Sequence, residues 1–440
     1  MCDKICMRKN LTEVIKMLKS FQIENFNSIK DPIIFSMEPV PDLTEHMDFI
    51  THLDNKNELL KVASIYGPNA SGKSNLLYAL RYLRNLITGL YINDNQRFVS
   101  SSREFAPFEF TSEKDNLIKI STVFARSGKD YWYTVTTEMI DFEPIRLKIV
   151  EENFSIRNTG DSDYTKIFSR NQNTIDAEKI TKALGTNKLN ISNTMTLLLH
   201  LYLNYIDIEV EGQKPVIEDP YLQSVVDLFE EITSITFLNN QSFTSSRVFR
   251  LRGGLIEDNK AFIIKSLQRL DIHISDIIVK DLGKRDVQVY CVHQINGLSY
   301  ELRLEQESQG TSLLIYLLSM IASRRNKPTI FLIDELDSHL HPKLVSEIIS
   351  LFNSELNQYN QLIFNSHDMW NMVPEQFRRD QVWFTYRNDD LATELISLSD
   401  IVNYKGERIR KDAKYSKQYM EGKYGADPFI RKGLDWHVSE

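Results

Sequence analysis

The chain has 440 residues, 42% of them apolar, which suits two or three globular domains and excludes a disordered or fibrous chain. Its 52 Lys and Arg against 60 Asp and Glu give a net charge of −8, so no overall positive field draws it to nucleic acid or to an anionic membrane, and any such contact is local. Three cysteines, Cys2, Cys6 and Cys291, make no disulfide framework, the start is polar, and the longest apolar run, residues 313–322, falls short of the roughly 20 residues that cross a bilayer; the expected location is the cytoplasm, with no membrane partner.

Residues 1–16 read as a leader. Residues 20–37 alternate apolar and polar side chains around a turn at Lys30, Asp31 and Pro32, which predicts two strands. Residues 62–66 (VASIY) form a short buried strand, followed by a glycine loop, and then Leu76, Leu77, Leu80, Leu83, Leu86 and Leu90 recur at helical spacing. Residues 105–140 are rich in aromatic and β-branched side chains, which predicts an antiparallel sheet. Between 149 and 254 the pattern turns to Asn-rich turns and helical stretches at 194–205 and 221–233, read as an inserted arm or lid. From Lys260 helix and strand signals alternate again, ending in buried strands at 329–333 and 361–365, as in a mostly parallel sheet with covering helices. The expected division is a leader (1–16), a first lobe (17–148), a largely helical arm (149–255) and a second lobe (256–440).

The loop is Gly67-Pro-Asn69-Ala-Ser-Gly72-Lys73-Ser74-Asn75. Glycines let backbone N–H groups close on phosphate oxygens, Lys73 neutralises them, and Ser74 ligates magnesium. The metal needs a carboxylate at the end of a buried strand, and Thr-Ile-Phe-Leu-Ile-Asp334-Glu335 supplies it. Asp334 is the expected metal residue, and Glu335, next along, the expected general base for the water that attacks the γ-phosphate. Lys73 and Asp334 lie 261 positions apart, far more than a compact phosphate-loop fold needs.

With those motifs in place the chain resembles the ABC/SMC-type ATPases. Ser308-Gln-Gly310-Thr311 stands where that superfamily has its signature loop, Asp337 in Glu-Leu-Asp-Ser-His-Leu-His-Pro matches the D-loop, and His367 in Phe-Asn-Ser-His-Asp matches the switch histidine. The resemblance implies an α/β fold, an ATPase head with a mixed sheet, covering helices and an antiparallel subdomain, interrupted by the arm. It implies ATP and Mg2+ as ligands, catalytic roles for Glu335, Asp337 and His367, and nucleotide contacts from Gly67, Asn69, Gly72, Lys73, Ser74, Asn75, Ser308 and Gly310. It also implies a head-to-head homodimer or higher oligomer, in which each signature loop caps the γ-phosphate held by the partner. A helix beginning near Thr311 offers free N–H groups to such an anion.

The opening Phe-Gln-Ile-Glu-Asn-Phe-Asn-Ser-Ile-Lys, the phosphate loop, Glu-Ser-Gln-Gly-Thr and the ending Gly422-Lys-Tyr-Gly-Ala-Asp-Pro look like the AAA-15, or abortive-infection-type, ATPases of bacteria, including those of RloA type and the larger subunit of the phage anti-restriction-induced system. This implies a sensor ATPase beside a separately encoded nuclease or toxin in phage defence. The alternative is a RecF-like DNA-maintenance ATPase. Only 73 residues follow His367, too few for the Toprim nuclease of overcoming-lysogenisation enzymes. Candidate DNA contacts are Arg247, Arg250 and Arg252, and the cluster Lys405, Arg408, Arg410, Lys411, Lys414 and Lys417. Gln241 and the Pro107-Phe108 region are the candidates for a magnesium-sensing glutamine loop. The leucines at 197, 198, 201 and 203 mark the arm as a surface for an effector or as a packing face.

Overall fold

The structure is a computed structural model that describes residues 16–53, 57–89, 105–112, 115–142, 145–172, 174–186, 188–206, 217–239, 254–283, 286–403 and 406–425. The first half runs β1 (Lys16–Glu24), β2 (Ile33–Ser36), β3 (Ile50–His52), β4 (Glu58–Leu60), β5 (Val62–Tyr66), α1 (Lys73–Ile87), β6 (Leu117–Arg126), β7 (Lys129–Phe142), β8 (Ile145–Asn158), β9 (Thr165–Asn171) and β10 (Thr174–Asp176). Next come α2 (Glu178–Ala183), α3 (Leu197–Leu201), α4 (Pro220–Thr233), β11 (Ile235–Leu238), α5 (Lys260–Arg269), β12 (Asp276–Gly283), β13 (Asp286–Ile295) and β14 (Leu298–Arg303). The chain ends with α6 (Gln309–Ser323), β15 (Thr329–Ile333), α7 (Pro342–Asn353), β16 (Asn360–Asn365), β17 (Val382–Arg387), β18 (Thr393–Ser397) and α8 (Tyr415–Met420).

A six-stranded sheet in the order β11-β15-β16-β5-β17-β18 is the centre of the molecule; all its pairings are parallel except β17 with β18. Strands β5, β15 and β16 are buried throughout because both faces are covered. Alternate side chains feed two cores, as the period of two requires. Ala63, Ile65, Ile330, Leu332 and Ile363 face one core, and Val62, Tyr66, Phe331, Ile333, Leu362 and Phe364 face the other. The second sheet is antiparallel, in the order β10-β9-β8-β7-β6-β1-β2. Fully buried Gln361 staples the two sheets: its Oε1 accepts from Leu18 N–H (2.7 Å) and its Nε2 donates to the carbonyls of Leu18 (3.0 Å) and Leu60 (3.2 Å). A three-stranded sheet, β12-β13-β14, precedes α6.

The span 149–255 differs from the largely helical arm expected of it. Its first part belongs to β8, β9 and β10 of the antiparallel sheet, and β11 pairs in parallel with β15 in the central sheet. The helices between them pack inward. Leu197, Leu198 and Leu201 are fully buried in the same core as α1, while Leu203 is 48% exposed. Two buried polar anchors fix this packing. The Glu152 carboxylate of β8 accepts from the N–H groups of Leu197 (2.6 Å) and Leu198 (3.0 Å) and from Tyr133 Oη (2.9 Å). Arg126 of β6 pairs with Asp227 (2.9 Å) and Glu231 (3.1 Å) of α4. The leucine spacing marks a helix, but alternation in β8 is broken by the buried Glu152 and by a register shift at Phe154/Ser155, and a four-residue β11 is too short to stand out between helices. Among the described residues, no helix is long and apolar enough to cross a membrane.

Candidate functional site

Parallel α/β sheets gather ligands at the carboxyl ends of their strands, and β15, β16 and β5 end side by side. β5 runs into the glycine loop and then α1. Gly72 caps α1 at φ +100°, and a Cβ there would strike Thr393 Oγ1 and Ser28 Oγ, so only glycine fits both the backbone and the space. A chain of hydroxyls braces the loop: Ser28 Oγ to Thr393 Oγ1 (2.6 Å), Thr393 Oγ1 donating to Ser71 O (2.8 Å), and Ser71 Oγ to Thr385 Oγ1 (2.6 Å). Arg387 Nε donates to Ala70 O (2.6 Å). On the other flank Asn75 Nδ2 donates to Ser28 Oγ (2.6 Å) and Asn75 Oδ1 accepts from Asn27 Nδ2 (3.2 Å). The loop is thus clamped between the β17–β18 hairpin and the turn after β1, with Asn69 exposed at its tip.

Lys73 lies inside the clamp, 5% exposed, with Nζ donating to the carbonyls of Gly67 (2.8 Å) and Pro68 (2.9 Å). Burial pushes its pKa down to about 8, against the opposing pull of the Asp337, Glu335 and Asp334 carboxylates. Those carboxylates follow β15, which is separated from β5 by β16. Asp334 Oδ1 accepts from Asn365 Nδ2 (2.6 Å) and Asp334 Oδ2 from Tyr78 Oη (2.9 Å). Asn365 Nδ2 also donates to Ser74 Oγ (3.2 Å), so Ser74 and Asp334 share one amide. Glu335 follows at φ +57°, with its N–H donating to Asn365 Oδ1 (2.5 Å).

Asp337 Oδ2 accepts from the backbone N–H groups of His367 and Asp368, both at 3.1 Å. Asp337 Oδ1 and Asp368 Oδ2 are buried without a hydrogen-bond partner. Burial, with the neighbouring charges of Asp368 and Asp337, pushes the Tyr66 phenol well up. The His367 side chain is exposed beside this turn. The donor set fits a phosphate chain with magnesium: a hydroxyl and carboxylate oxygens for a hard cation, a buried ammonium for phosphate, and acidic oxygens still lacking donors.

Ser308 and Gly310 stand apart from these bonds. Ser308 is the exposed N-cap of α6, its Oγ accepting from Thr311 N–H (3.0 Å). A Cβ on Gly310 would strike the His339 carbonyl, so the start of α6 lies against the segment that follows Asp337. Sequence reasoning passed over Asn365, Tyr78, Thr385, Thr393 and Arg387. One signal was legible, a polar Asn ending an otherwise apolar strand; the others depend on chain crossings that no local spacing reveals. Phe108 is buried, its N–H donating to Asn25 Oδ1 (2.7 Å). Cys2, Cys6, Leu90, Gln241, Arg247, Arg250, Arg252, Lys405 and the last three residues of the 422–428 motif lie outside the described residues.

A family model described as "AAA domain, putative AbiEii toxin, Type IV TA system" matches residues 62–369, from β5 to just past His367. No curated protein matches the chain. Among solved structures, it is similar to the SMC head domain from Thermotoga maritima (14% identity, TM-score 0.40, covering 86% of this chain and 98% of that one). It is also similar to an SmcHead bound to the C-winged helix domain of ScpA (12%, TM-score 0.43, 88% and 98%). A third is the Smc head domain with an extended coiled coil bound to the C-terminal domain of ScpA derived from Pyrococcus furiosus (10%, TM-score 0.40, 87% and 96%). A glycine loop at the carboxyl end of β5, in a mostly parallel sheet and leading into α1, is a phosphate-loop arrangement, and the chain belongs to the AAA-domain family whose model spans residues 62–369.

Proposed function

We propose that this chain binds ATP with Mg2+ and hydrolyses it, that two copies close head to head around the nucleotide, and that this cycle governs a separately encoded nuclease or toxin in bacterial phage defence. One observation carries the chemistry: Lys73, Ser74, Asp334 and Glu335, from motifs 261 positions apart, meet where parallel strands end, and a buried lysine is held by loop carbonyls that it can exchange for phosphate.

In this reading the N–H groups of the loop from Gly67 to Ser74 cradle the phosphates, with Asn69 and Asn75 at its rim, and Lys73 turns from the loop carbonyls to the β- and γ-phosphate oxygens. Ser74 and Asp334 would hold the magnesium, which would supply neutralising charge to the phosphates. Glu335 takes the proton of the attacking water. Asp337 fixes the turn that carries His367, which brings that imidazole to the γ-phosphate side of the site. Ser308 and Gly310 of one copy serve the nucleotide of the other, supported by the exposed N-terminus of a 15-residue helix. The effector and the defence role rest on the motif resemblance and on a family description that names a type IV toxin–antitoxin system.

The test is Mg2+-dependent nucleotide binding and phosphate release. Wild type binds and hydrolyses ATP, Lys73→Ala loses affinity, and Glu335→Gln binds but accumulates as a closed dimer. Wild-type turnover in Glu335→Gln contradicts the assignment of the base. Co-purification with the product of a neighbouring gene, dependent on nucleotide state, tests the regulatory half.

A further inference from the structure

Asn365 closes β16, which lies between β15, the source of Asp334, and β5, the strand that enters the phosphate loop. Its side chain reaches both motifs at once. It is fully buried, and an amide buried there must satisfy both its ends. The amide nitrogen donates to Asp334 Oδ1 (2.6 Å) and Ser74 Oγ (3.2 Å), and the amide oxygen accepts from Glu335 N–H (2.5 Å). The Asn365 carbonyl also accepts from Leu336 N–H (3.2 Å), so the peptide on either side of Glu335 is tied to this one residue.

The bond to Glu335 matters because Glu335 has φ +57°. The left-handed region is unfavourable for a non-glycine residue and persists only where the surroundings impose it. Here the Asn365 oxygen helps to impose it. The direction in which the Glu335 carboxylate leaves the chain is thereby linked to the same amide that spans Ser74 and Asp334, while Tyr78 holds the second Asp334 oxygen (2.9 Å).

We propose that Asn365 is a positioning residue that couples the metal pair, Ser74 and Asp334, to the general base Glu335, so that the base is aimed only when the metal ligands are in register. This rests on the roles given to those three residues above. The competing account is a buried asparagine that merely stabilises the end of β16.

Four proteins separate the two: wild type, Asn365→Ala, Glu335→Gln and the double variant, each checked by thermal melting. We expect Asn365→Ala to bind ATP without metal within about twofold of wild type, while the Mg2+ concentration for half-maximal enhancement of ATP binding rises roughly tenfold, as for other residues that orient metal ligands. Its kcat at saturating Mg2+ falls about tenfold or more, with KM for MgATP within about threefold. Added to Glu335→Gln, the same change lowers turnover by less than about threefold, because a residue acting through the base has nothing left to aim. Unchanged metal dependence and kcat in Asn365→Ala overturn the proposal, as does an equal fold-loss in both backgrounds. Where Asn365→Ala melts early, the near-isosteric Asn365→Asp carries the same comparison, since it keeps an acceptor for Glu335 N–H but removes both donors. If the wild type shows no turnover, the reading of Glu335 as base falls, and the metal dependence of ATP binding still decides the role of Asn365.

Discussion

The glycine loop and the start of α6 both offer backbone N–H groups to an anion, yet they are built on opposite terms. The loop is walled in by Ser28, Thr385, Thr393 and Arg387 and holds its lysine inside. The start of α6 is exposed, and its Ser308 bonds only to the first turn of its own helix in the contacts described. One is enclosed by the chain that carries it, the other faces outward. On the proposed function, the difference teaches where a second molecule enters: phosphate binding belongs to one head, and the outward helix end is what a head offers to another. The start of α6 does touch the acidic side of the site, since Gly310 lies against His339, two residues from Asp337, which accepts from the backbone of the His367 turn.

The largest effect that bears on this contrast comes from the enclosed site. Glu335→Gln is expected to lower kcat by roughly 10²–10³-fold, the scale of a general base, with ATP affinity kept; a fall in affinity instead places Glu335 in binding. Next is the outward site. Ser308→Arg is expected to lower turnover on the order of tenfold to a hundredfold while a single head binds MgATP as before; an equal loss of binding by the monomer makes Ser308 part of its own chain's pocket.

A pH series sharpens the contrast further. With the Lys73 pKa pushed down to about 8 in the free protein, phosphate binding restores the charged form, so binding takes up a proton as pH rises through 8. Affinity then falls about tenfold between pH 7 and 9, and calorimetry in buffers of different ionisation enthalpy reads the proton directly. The sign is the reverse for folding without nucleotide: the unfolded chain, with an ordinary lysine near 10.5, holds more protons between pH 8 and 10.5, so this group's contribution to stability rises across that window. The smallest effect is expected at the rim, where Arg387→Ala removes an exposed hydrogen bond to Ala70 O and weakens ATP binding by roughly threefold, about 0.6 kcal/mol, in an equilibrium titration.

The strand, loop and helix around Gly67 to Ser74 were legible because each is local: a five-residue apolar run, glycines at fixed offsets, and leucines at helical spacing. The mostly parallel sheet was legible for the same reason, from the buried runs at 329–333 and 361–365. The wall of the site was not. Ser28 meets Thr393 across 365 positions and Ser71 meets Thr385 across 314, and such pairs follow from the order β16-β5-β17-β18, which no window of sequence contains. The span 149–255 failed for a related reason. Whether Leu197 faces an effector or a core depends on the antiparallel sheet beneath it, and the residue that decides, Glu152, reads in sequence as an ordinary surface carboxylate although it is fully buried.

The central claim, that the enclosed loop of one head is completed by the outward helix of another, is tested most directly by mixing Ser308→Arg with Lys73→Ala subunits and measuring Mg2+-dependent phosphate release. Each variant alone has no composite site with both parts intact. Random pairing gives mixed dimers in which one of two sites is whole, so turnover is predicted to return to roughly a quarter of the wild-type level at equal proportions. No recovery at any ratio, with mixed dimers shown to form, contradicts the claim and makes the signature segment and the phosphate loop partners within one chain.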